Sequence, residues 1–292
     1  MYQNNITNIN YGNNEIINLI KSNRPFSVVR LGSAEACITI DYLNKDYINT
    51  NHLHPTLLTL YNAGIYTRNK DLNKIKLFCS SYNNAIKKSD ILASFESLLK
   101  NEQTFFTNKY NISQIYTRTL EPFYIMNDNI IPWTNSLKGK KVLVINPFVE
   151  SFKKQINNNF KFNVNDMPIF LDDQEFVFYK SYQTIAGNHI HNDWFETFTL
   201  MCKDIEKLDF DIALLSCGGY GLPLCNFIKH NLNKSAIYVG GALQLFFGVM
   251  GNRWKTHDQI LNIIGKNIDN FIYPSDAEKC ENMRTIEGGC YW

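Results

Sequence analysis

Two glycine clusters mark the part of the chain where a ligand could contact bare backbone. The first, GGYG at 218–221, follows the apolar run DIALLSC, and the second, GG at 240–241, follows AIYV. Glycine lets backbone N–H groups approach a ligand closely, and the N-terminus of a following helix favours an anion. The pattern therefore predicts a phosphate or diphosphate site formed by Gly218, Gly219, Tyr220, Gly240 and Gly241. Tight strand-to-helix turns without a ligand are the alternative interpretation.

The spacing of these glycines argues against two common classes of nucleotide-binding protein. The chain contains neither GxGxxG, the dinucleotide fingerprint, nor GxxxxGK[ST], the P-loop. An NAD enzyme and a P-loop ATPase are therefore disfavoured. What remains is a nucleotide-linked substrate that is held by main chain and a few side chains.

Two arginines and two acids could act on such a substrate. Arg253, in GNRW, is the first candidate for binding phosphate oxygens in bidentate pairs, and Arg30 is the second. A structural ion pair would also explain each arginine. Glu35 and Asp193 are the candidates for the base that takes a proton from an acceptor hydroxyl, with Glu196 one turn after Asp193.

The segment VVRLGSAEA (28–36) contains four of the candidate site residues. Arg30 is expected at a strand end, Gly32 in the turn, and Ser33 and Glu35 at the opening of a helix. Ser33 is a suitable helix cap, and Glu35 in the first turn suits the helix dipole. The functional alternative is that Arg30 and Glu35 point into the cleft above the sheet, where Gly32 and Ser33 would also bind the nucleotide-linked substrate.

Three further features near these residues have two interpretations each. Gln244 could hydrogen-bond the nucleotide-linked substrate, or it could satisfy the backbone of its own loop. His189 and His191, followed by Asp193, could bind a transition metal, although loop histidines are more often surface or packing residues. The closing EGGCYW is apolar and contains glycine. We expect it to fold back onto the site with Glu287, with simple packing against the core as the alternative.

Strands alternate with helices along the chain. Continuous apolar runs at 142–148, 211–217 and 235–239 are typical of strands that helices cover on both faces. Helices are predicted at 13–22, 33–43, 54–64, 71–89, 149–159, 192–208 and 256–267. The pattern predicts an α/β fold with a mostly parallel sheet and helices on both faces. Ligands bind beyond the carboxyl ends of strands in such sheets, so we expect both glycine clusters at one edge.

Composition limits the organisation and the partners of the protein. A break in composition falls at 130–141, and we expect one catalytic domain over 1–292 with two lobes that meet near 130–140. The net charge of +2 and the lack of a basic run argue against a nucleic-acid partner. Seven scattered cysteines without CxxC pairs favour reduced thiols in a cytoplasmic protein.

One uncharged run could be mistaken for a membrane span. Residues 235–251 are 17 residues long, whereas a spanning helix needs about 20 apolar residues. We therefore expect no transmembrane segment here but a buried strand followed by a loop that lines the site. Peripheral membrane contact through Phe246 and Phe247 is the alternative.

Together these stretches resemble the GT-D-fold glycosyltransferases, which are sugar transferases with a Rossmann-like core. The likeness covers most of the chain and lies in FSVVRLGSAE, KGKKVLVINPFVESFKKQ, DIALLSCGGYGLPLCNFIK, IYVGGALQLFFGVMGNRW and the closing IEGGCYW. The resemblance implies a transferase that uses a nucleotide-diphosphate sugar, with UDP as the expected nucleotide. It also implies a glycan or glycoconjugate acceptor.

The chain departs from this family at one functional position. Members carry an Asp-x-Glu pair in the first block, understood as the metal and nucleotide-sugar site, and this chain has Ser33-Ala34-Glu35 instead. One carboxylate with a hydroxyl is a poor cage for Mg²⁺ or Mn²⁺. Metal binding by Glu35 and a metal-independent mechanism therefore both stay open. A nucleotide-sugar-binding or scaffold protein without turnover is the second hypothesis, and a nucleotide-binding hydrolase or ligase is the third.

Overall fold

The structure is a computed structural model that describes residues 7–45, 61, 63–68 and 71–292. The helix predicted at 54–64 lies mostly outside these residues. A seven-stranded sheet forms the centre of the described part, in the order β3-β2-β1-β9-β8-β4-β7, and each neighbouring pair in it is parallel. Its strands are β1 (Ser27–Val29), β2 (Ile91–Ser94), β3 (Ser113–Tyr116), β4 (Lys141–Asn146), β7 (Glu175–Lys180), β8 (Ile212–Leu215) and β9 (Ser235–Tyr238). A separate antiparallel hairpin consists of β5 (Asn163–Val164) and β6 (Met167–Pro168).

Helices connect the strands on both faces of the sheet. They are α1 (Ile9–Lys21), α2 (Ser33–Lys45), α3 (Leu72–Lys87), α4 (Lys100–Tyr110), α5 (Pro122–Asn127), α6 (Val149–Asn157), α7 (Trp194–Ile205), α8 (Gly221–His230), α9 (Leu243–Phe246) and α10 (Asp258–Ile264). The predicted α/β class with a parallel, Rossmann-like sheet is therefore confirmed.

The sheet separates two hydrophobic cores. Within β4, Val142 and Val144 pack into one core, whereas Leu143 and Ile145 pack into the other. Successive side chains of a strand point to opposite faces, and here helices cover both faces. This burial on two sides explains why the run is continuously apolar instead of alternating.

Among the elements absent from the sequence-based expectation are α4 and β3. The sequence of α4, KNEQTFFTNKY, is mostly polar, and the helix begins after Leu99, which has a left-handed φ of 55° and forms no side-chain cap. The edge strand β3 is only partly buried and has no continuous apolar run. Neither element has the periodicity that would predict it.

The break in composition at 130–141 is a packed segment. Trp133 is fully buried, its indole N–H donates to the carbonyl of Thr119 at 2.9 Å, and its backbone N–H donates to the side chain of Asn13 in α1 at 2.8 Å. Strands from both sides of this segment join in one sheet, because β1 pairs with β9.

Within the described ranges, no helix is long and apolar enough to cross a membrane. The 235–251 run forms the predicted strand, β9, and a loop, and it also contains the short helix α9, which was not predicted. Phe246 and Phe247 are each 3% exposed, and the ring of Phe247 stacks on that of Phe152 with 4.7 Å between centroids. The suggested membrane contact through these two phenylalanines does not fit, since both side chains belong to the core.

Candidate functional site

The carboxyl ends of β1, β9 and β8 lie side by side at one edge of the sheet. The central strand of the three, β9, pairs with β1 on one side and with β8 on the other. Arg30 follows β1, Gly240 and Gly241 follow β9, and the 218–221 cluster follows β8. The predicted common edge for both glycine clusters is therefore correct. We refer to residues 240–241 as the glycine loop.

Two guanidinium groups flank the glycine loop. Arg30 Nη1 donates to the carbonyl of Val239 at 3.3 Å, and a Cβ on Gly240 would lie only 2.7 Å from that nitrogen. On the other side, a Cβ on Gly241 would lie 3.5 Å from Arg253 Nη1. Gly240 also has a left-handed φ of 78°, which favours glycine. The loop thus needs glycine at position 240 for its conformation and for the close approach of Arg30.

Arg30 is held in place by an aromatic ring. Its Cζ lies 4.8 Å from the ring centroid of Phe95, which follows β2, a distance typical of a cation–π contact. Apart from the bond to Val239, the Arg30 guanidinium forms no hydrogen bond within the described part of the chain. Its remaining N–H groups are therefore available to an anionic ligand.

The C-terminal segment, residues 273–292, returns to the glycine loop and surrounds Arg253. Arg253 Nη2 donates to Glu287 Oε2 at 2.7 Å and lies 3.3 Å from Cys290 Sγ. Its Cζ is 4.7 Å from the ring centroid of Tyr291, and its backbone N–H donates to the carbonyl of Cys290. The expected return of EGGCYW, with Glu287, agrees with these contacts.

A buried carboxylate holds this C-terminal segment to the sheet. Glu278 is fully buried, and its Oε1 accepts from the backbone N–H groups of Glu150 at 3.0 Å and Ser151 at 3.1 Å in the first turn of α6. Its Oε2 accepts from the hydroxyl groups of Ser151 and Ser275 and from the Ser275 backbone N–H. Negative charge is favourable at a helix N-terminus. The helix end beyond β4 is therefore occupied by the protein's own anion.

Glu35 lies next to the arginine side of the site. It is 7% exposed, and its carboxyl group folds over Gly32, where a Cβ would overlap it. Burial raises the pKa of Glu35, and the bond from its own backbone N–H and the charge of Arg30 oppose that rise only in part. The carboxylate is consequently a stronger base than an exposed glutamate.

Protein groups cover the first glycine cluster. The backbone N–H of Gly219 donates to the carbonyl of Ala63 at 3.3 Å, and a Cβ on Gly219 would lie 2.7 Å from the side chain of Ile65. The ring of Tyr238 lies against Gly221 so closely that a Cβ there would overlap it. These glycines allow close packing, which corresponds to the alternative interpretation of tight turns.

Tyr220, which follows those glycines, is a core residue. It is 2% exposed, its ring stacks on Trp194 at 5.5 Å, and its hydroxyl shares a hydrogen bond of 2.7 Å with Thr184. A buried ring whose hydroxyl already has a partner has little left to offer a nucleotide. The site proposed below therefore includes neither Tyr220 nor Gly219.

Asp193 is already engaged at the start of α7. Its Oδ1 accepts from the backbone N–H of Glu196 at 2.9 Å, so that Asp193 caps the helix, and its Oδ2 lies 3.1 Å from Lys74 Nζ. Burial raises the pKa of Asp193, but the N–H of Glu196 and the charge of Lys74 together lower it overall. Asp193 is thus a weaker base than Glu35.

Gln244 connects the glycine loop region to the C-terminal segment. It is 1% exposed, and its amide nitrogen donates to the carbonyls of Val249 at 3.3 Å and Tyr291 at 3.2 Å. These contacts correspond to the structural alternative for this residue. Gln244 positions Tyr291 and does not face a ligand.

The donors near Glu35 do not fit a divalent cation. Mg²⁺ and Mn²⁺ take several oxygen ligands, mainly carboxylates. The position of the family's first acid is the exposed Ser33, at the first residue of α2. In the ranges that the structure covers, no three His, Cys, Asp or Glu side chains are grouped as a metal site requires, and His189 and His191 are no exception.

Phe95, Glu278 and Tyr291 contribute to the site but were not predicted. Phe95 had a usable signal, because it ends the apolar run DILASF and so follows a strand at the carboxyl edge. Tyr291 lies in the closing apolar segment that was expected near the site. Glu278 had no signal, since it is one acid in an irregular tail.

A family model described as a GT-D fold-like domain matches residues 12–246. The match includes Arg30, Glu35 and the glycine loop, whereas Arg253 and the C-terminal segment lie beyond it. No curated protein and no solved structure matches the chain.

Proposed function

The chain belongs to the GT-D-like family, and on this premise we propose that it is a glycosyltransferase that uses a nucleotide-diphosphate sugar. The acceptor would be a glycan or glycoconjugate, and a UDP-linked donor follows from the resemblance alone. One observation carries the proposal, namely that Arg30 and Arg253 flank the glycine loop at the carboxyl edge of the sheet. We also propose that both halves of the chain act as one catalytic unit.

In this mechanism the two arginines bind the donor diphosphate. Each guanidinium can form bidentate bonds with phosphate oxygens, and the backbone N–H of Gly241 forms no hydrogen bond in the described part of the chain. When the bond between the anomeric carbon and the diphosphate breaks, negative charge grows on the leaving oxygen. Fixed cations at that position stabilise the transition state more than the bound substrate.

Glu35 is the proposed base. Its carboxylate would take the proton of the acceptor hydroxyl while the hydroxyl oxygen bonds to the anomeric carbon and the nucleoside diphosphate departs. Burial raises the pKa of Glu35, which favours this role, whereas the pKa of the alternative base Asp193 is lowered by Glu196 and Lys74 despite burial. No step requires a divalent cation, in keeping with the poor fit of the residues around Glu35.

A nucleotide-sugar-binding protein without turnover is the second candidate function. The Glu35 carboxyl group is 7% exposed and bonds to its own backbone N–H. It would have to turn outward to reach an acceptor. In this case the arginines and the glycine loop would still bind the diphosphate.

Thermal shift with UDP, GDP, CMP and their sugar conjugates, each with and without Mn²⁺, tests the proposal. A ligand at 100 times its Kd adds about 2.7 kcal/mol to stability. We expect a nucleoside diphosphate to stabilise the wild type and Arg253→Ala to lose this effect. Arg284→Ala is the matched control, because Arg284 is an exposed arginine of the same segment.

Slow hydrolysis of the stabilising donor sugar would then distinguish an active transferase from a binding protein. Glu35→Gln should abolish transfer and hydrolysis without loss of diphosphate binding. Stabilisation by NAD or ATP, with no response to any nucleotide sugar, would rule the proposal out.

A further inference from the structure

Tyr291 lies beside the glycine loop with an unused hydroxyl group. Its ring packs on Gly241, where a Cβ would lie 2.8 Å from Tyr291 Cε1, and Arg253 Cζ is 4.7 Å from the ring centroid. Arg30 is also close enough for its charge to act on the phenol. Within the described part of the chain, no group forms a hydrogen bond with the Tyr291 hydroxyl.

The other two tyrosines of this edge differ in that respect. The Tyr238 hydroxyl donates to the carbonyl of Gly218 at 3.1 Å, and the Tyr220 hydroxyl shares a bond with Thr184. Tyr291 is only partly buried, so its hydroxyl group is accessible to a ligand. The contacts of its ring with Gly241 and Arg253, together with the bond from Gln244 to its carbonyl, hold the side chain in position.

We propose that Tyr291 donates a hydrogen bond to the diphosphate of the donor and is a third binding residue of the site. The inference rests on the proposed function, because the diphosphate is the ligand that both arginines would share. Burial raises the pKa of Tyr291 more than Arg253 and Arg30 lower it, so the phenol stays protonated and can donate at neutral pH. A hydrogen bond to a phosphate oxygen strengthens as that oxygen gains negative charge, which happens when the bond between the anomeric carbon and the diphosphate breaks.

Tyr291→Phe in the full chain tests this role, with Tyr273→Phe as the control. Phenylalanine keeps the ring on Gly241, and Tyr273 is a 44% exposed tyrosine of the same segment. Calorimetric titrations would use UDP, inorganic pyrophosphate and uridine. We expect Tyr291→Phe to bind UDP and pyrophosphate about tenfold more weakly, the loss of one bond to a charged acceptor, with unchanged uridine binding and an unchanged Tm. Tyr273→Phe should bind all three as the wild type does.

The outcomes separate this inference from the proposed function. If Tyr291→Phe binds UDP and pyrophosphate like the wild type while Arg253→Ala does not, Tyr291 is no ligand of the diphosphate and the proposed function stands. An equal loss for uridine would mean that the hydroxyl acts on the nucleoside, which also overturns the inference. If the wild type binds neither UDP nor pyrophosphate nor any nucleotide sugar, both proposals fail.

Discussion

Removing the Glu278 carboxylate should destabilise the fold and disrupt the candidate site together. In Glu278→Ala, the backbone N–H groups of Glu150 and Ser151 and two serine hydroxyl groups lose their acceptor, whereas the Ser275 N–H keeps the Ser151 hydroxyl oxygen at 3.1 Å. One buried donor without a partner costs about 1–3 kcal/mol. Local relaxation and water recover part of this cost, so we expect a loss of about 3–5 kcal/mol from the donors that are left without a partner.

Glu278→Gln should have a smaller effect. The amide oxygen can still accept from the two N–H groups of α6, but the amide nitrogen would face the backbone N–H of Ser275, another donor. We expect a loss of about 1–3 kcal/mol. At about 2–4 °C per kcal/mol for chains of 150–250 residues, Tm would fall by about 10 °C in the alanine variant and about 5 °C in the glutamine variant.

Urea denaturation followed by circular dichroism measures the free energy of unfolding, and UDP titration of the same variants reports on the site. Asp276→Ala is the matched control, because Asp276 lies two residues away and its side chain is 95% exposed. This control should change stability by less than about 0.5 kcal/mol. If Glu278→Ala unfolds within about 0.5 kcal/mol of the wild type, the carboxylate does not hold the C-terminal segment and the reasoning fails.

Three further predictions concern separate parts of the structure. Glu35→Gln should stabilise the protein at pH 7–8, because burial raises the pKa of Glu35 above its ordinary 4.5 and the wild type loses stability as pH rises past that value. A Tm advantage of the variant over the wild type that does not shrink towards pH 4.5 would contradict this. Gly240→Ala (φ 78°) and Gly139→Ala (φ 75°) should each lose about 1–3 kcal/mol of stability from backbone strain. Only Gly240→Ala should weaken UDP binding, since nothing lies within 4 Å of a Cβ on Gly139. Equal UDP affinity in both variants would remove the glycine loop from the site. Burial, and then the hydrogen bond to Glu102, raise the pKa of Cys37 to about 11. Iodoacetamide should therefore react slowly with Cys37 at pH 8, and faster in Glu102→Gln. Identical rates would show that Glu102 does not influence the pKa of Cys37.

The fold could be predicted because its central strands are buried on both faces. A run such as VLVINPF can be recognised from composition alone, and the glycines that follow β8 and β9 indicate where these strands end. The start of α7 was also predictable, because Asp193 is a good capping residue just before an amphipathic stretch. By contrast, α4 and β3 are stabilised by tertiary contacts of half-polar sequences, which leave little pattern to detect.

The candidate site could be predicted only in part, because a residue's type does not reveal whether its polar groups are already in use. Arg30 and Arg253 lie beside the glycine loop, but Arg253 also forms an ion pair with Glu287, which corresponds to the structural alternative for that arginine. The first glycine cluster follows the same rule in sequence, yet residues 63–65 cover it. Gln244 likewise gives its amide nitrogen to two carbonyl groups. Such competition between ligand and protein partners is decided by segments far away along the chain.

The pairing of β1 with β9 has a consequence for how the protein reaches its native state. Arg30 and Gly240 follow strands that are about 200 residues apart in sequence, so the centre of the sheet closes only after most of the polypeptide has left the ribosome. Until then, the apolar edge of β1 lacks its neighbour and is open to intermolecular association. We therefore expect expression at low temperature, or with added chaperones, to increase the soluble yield.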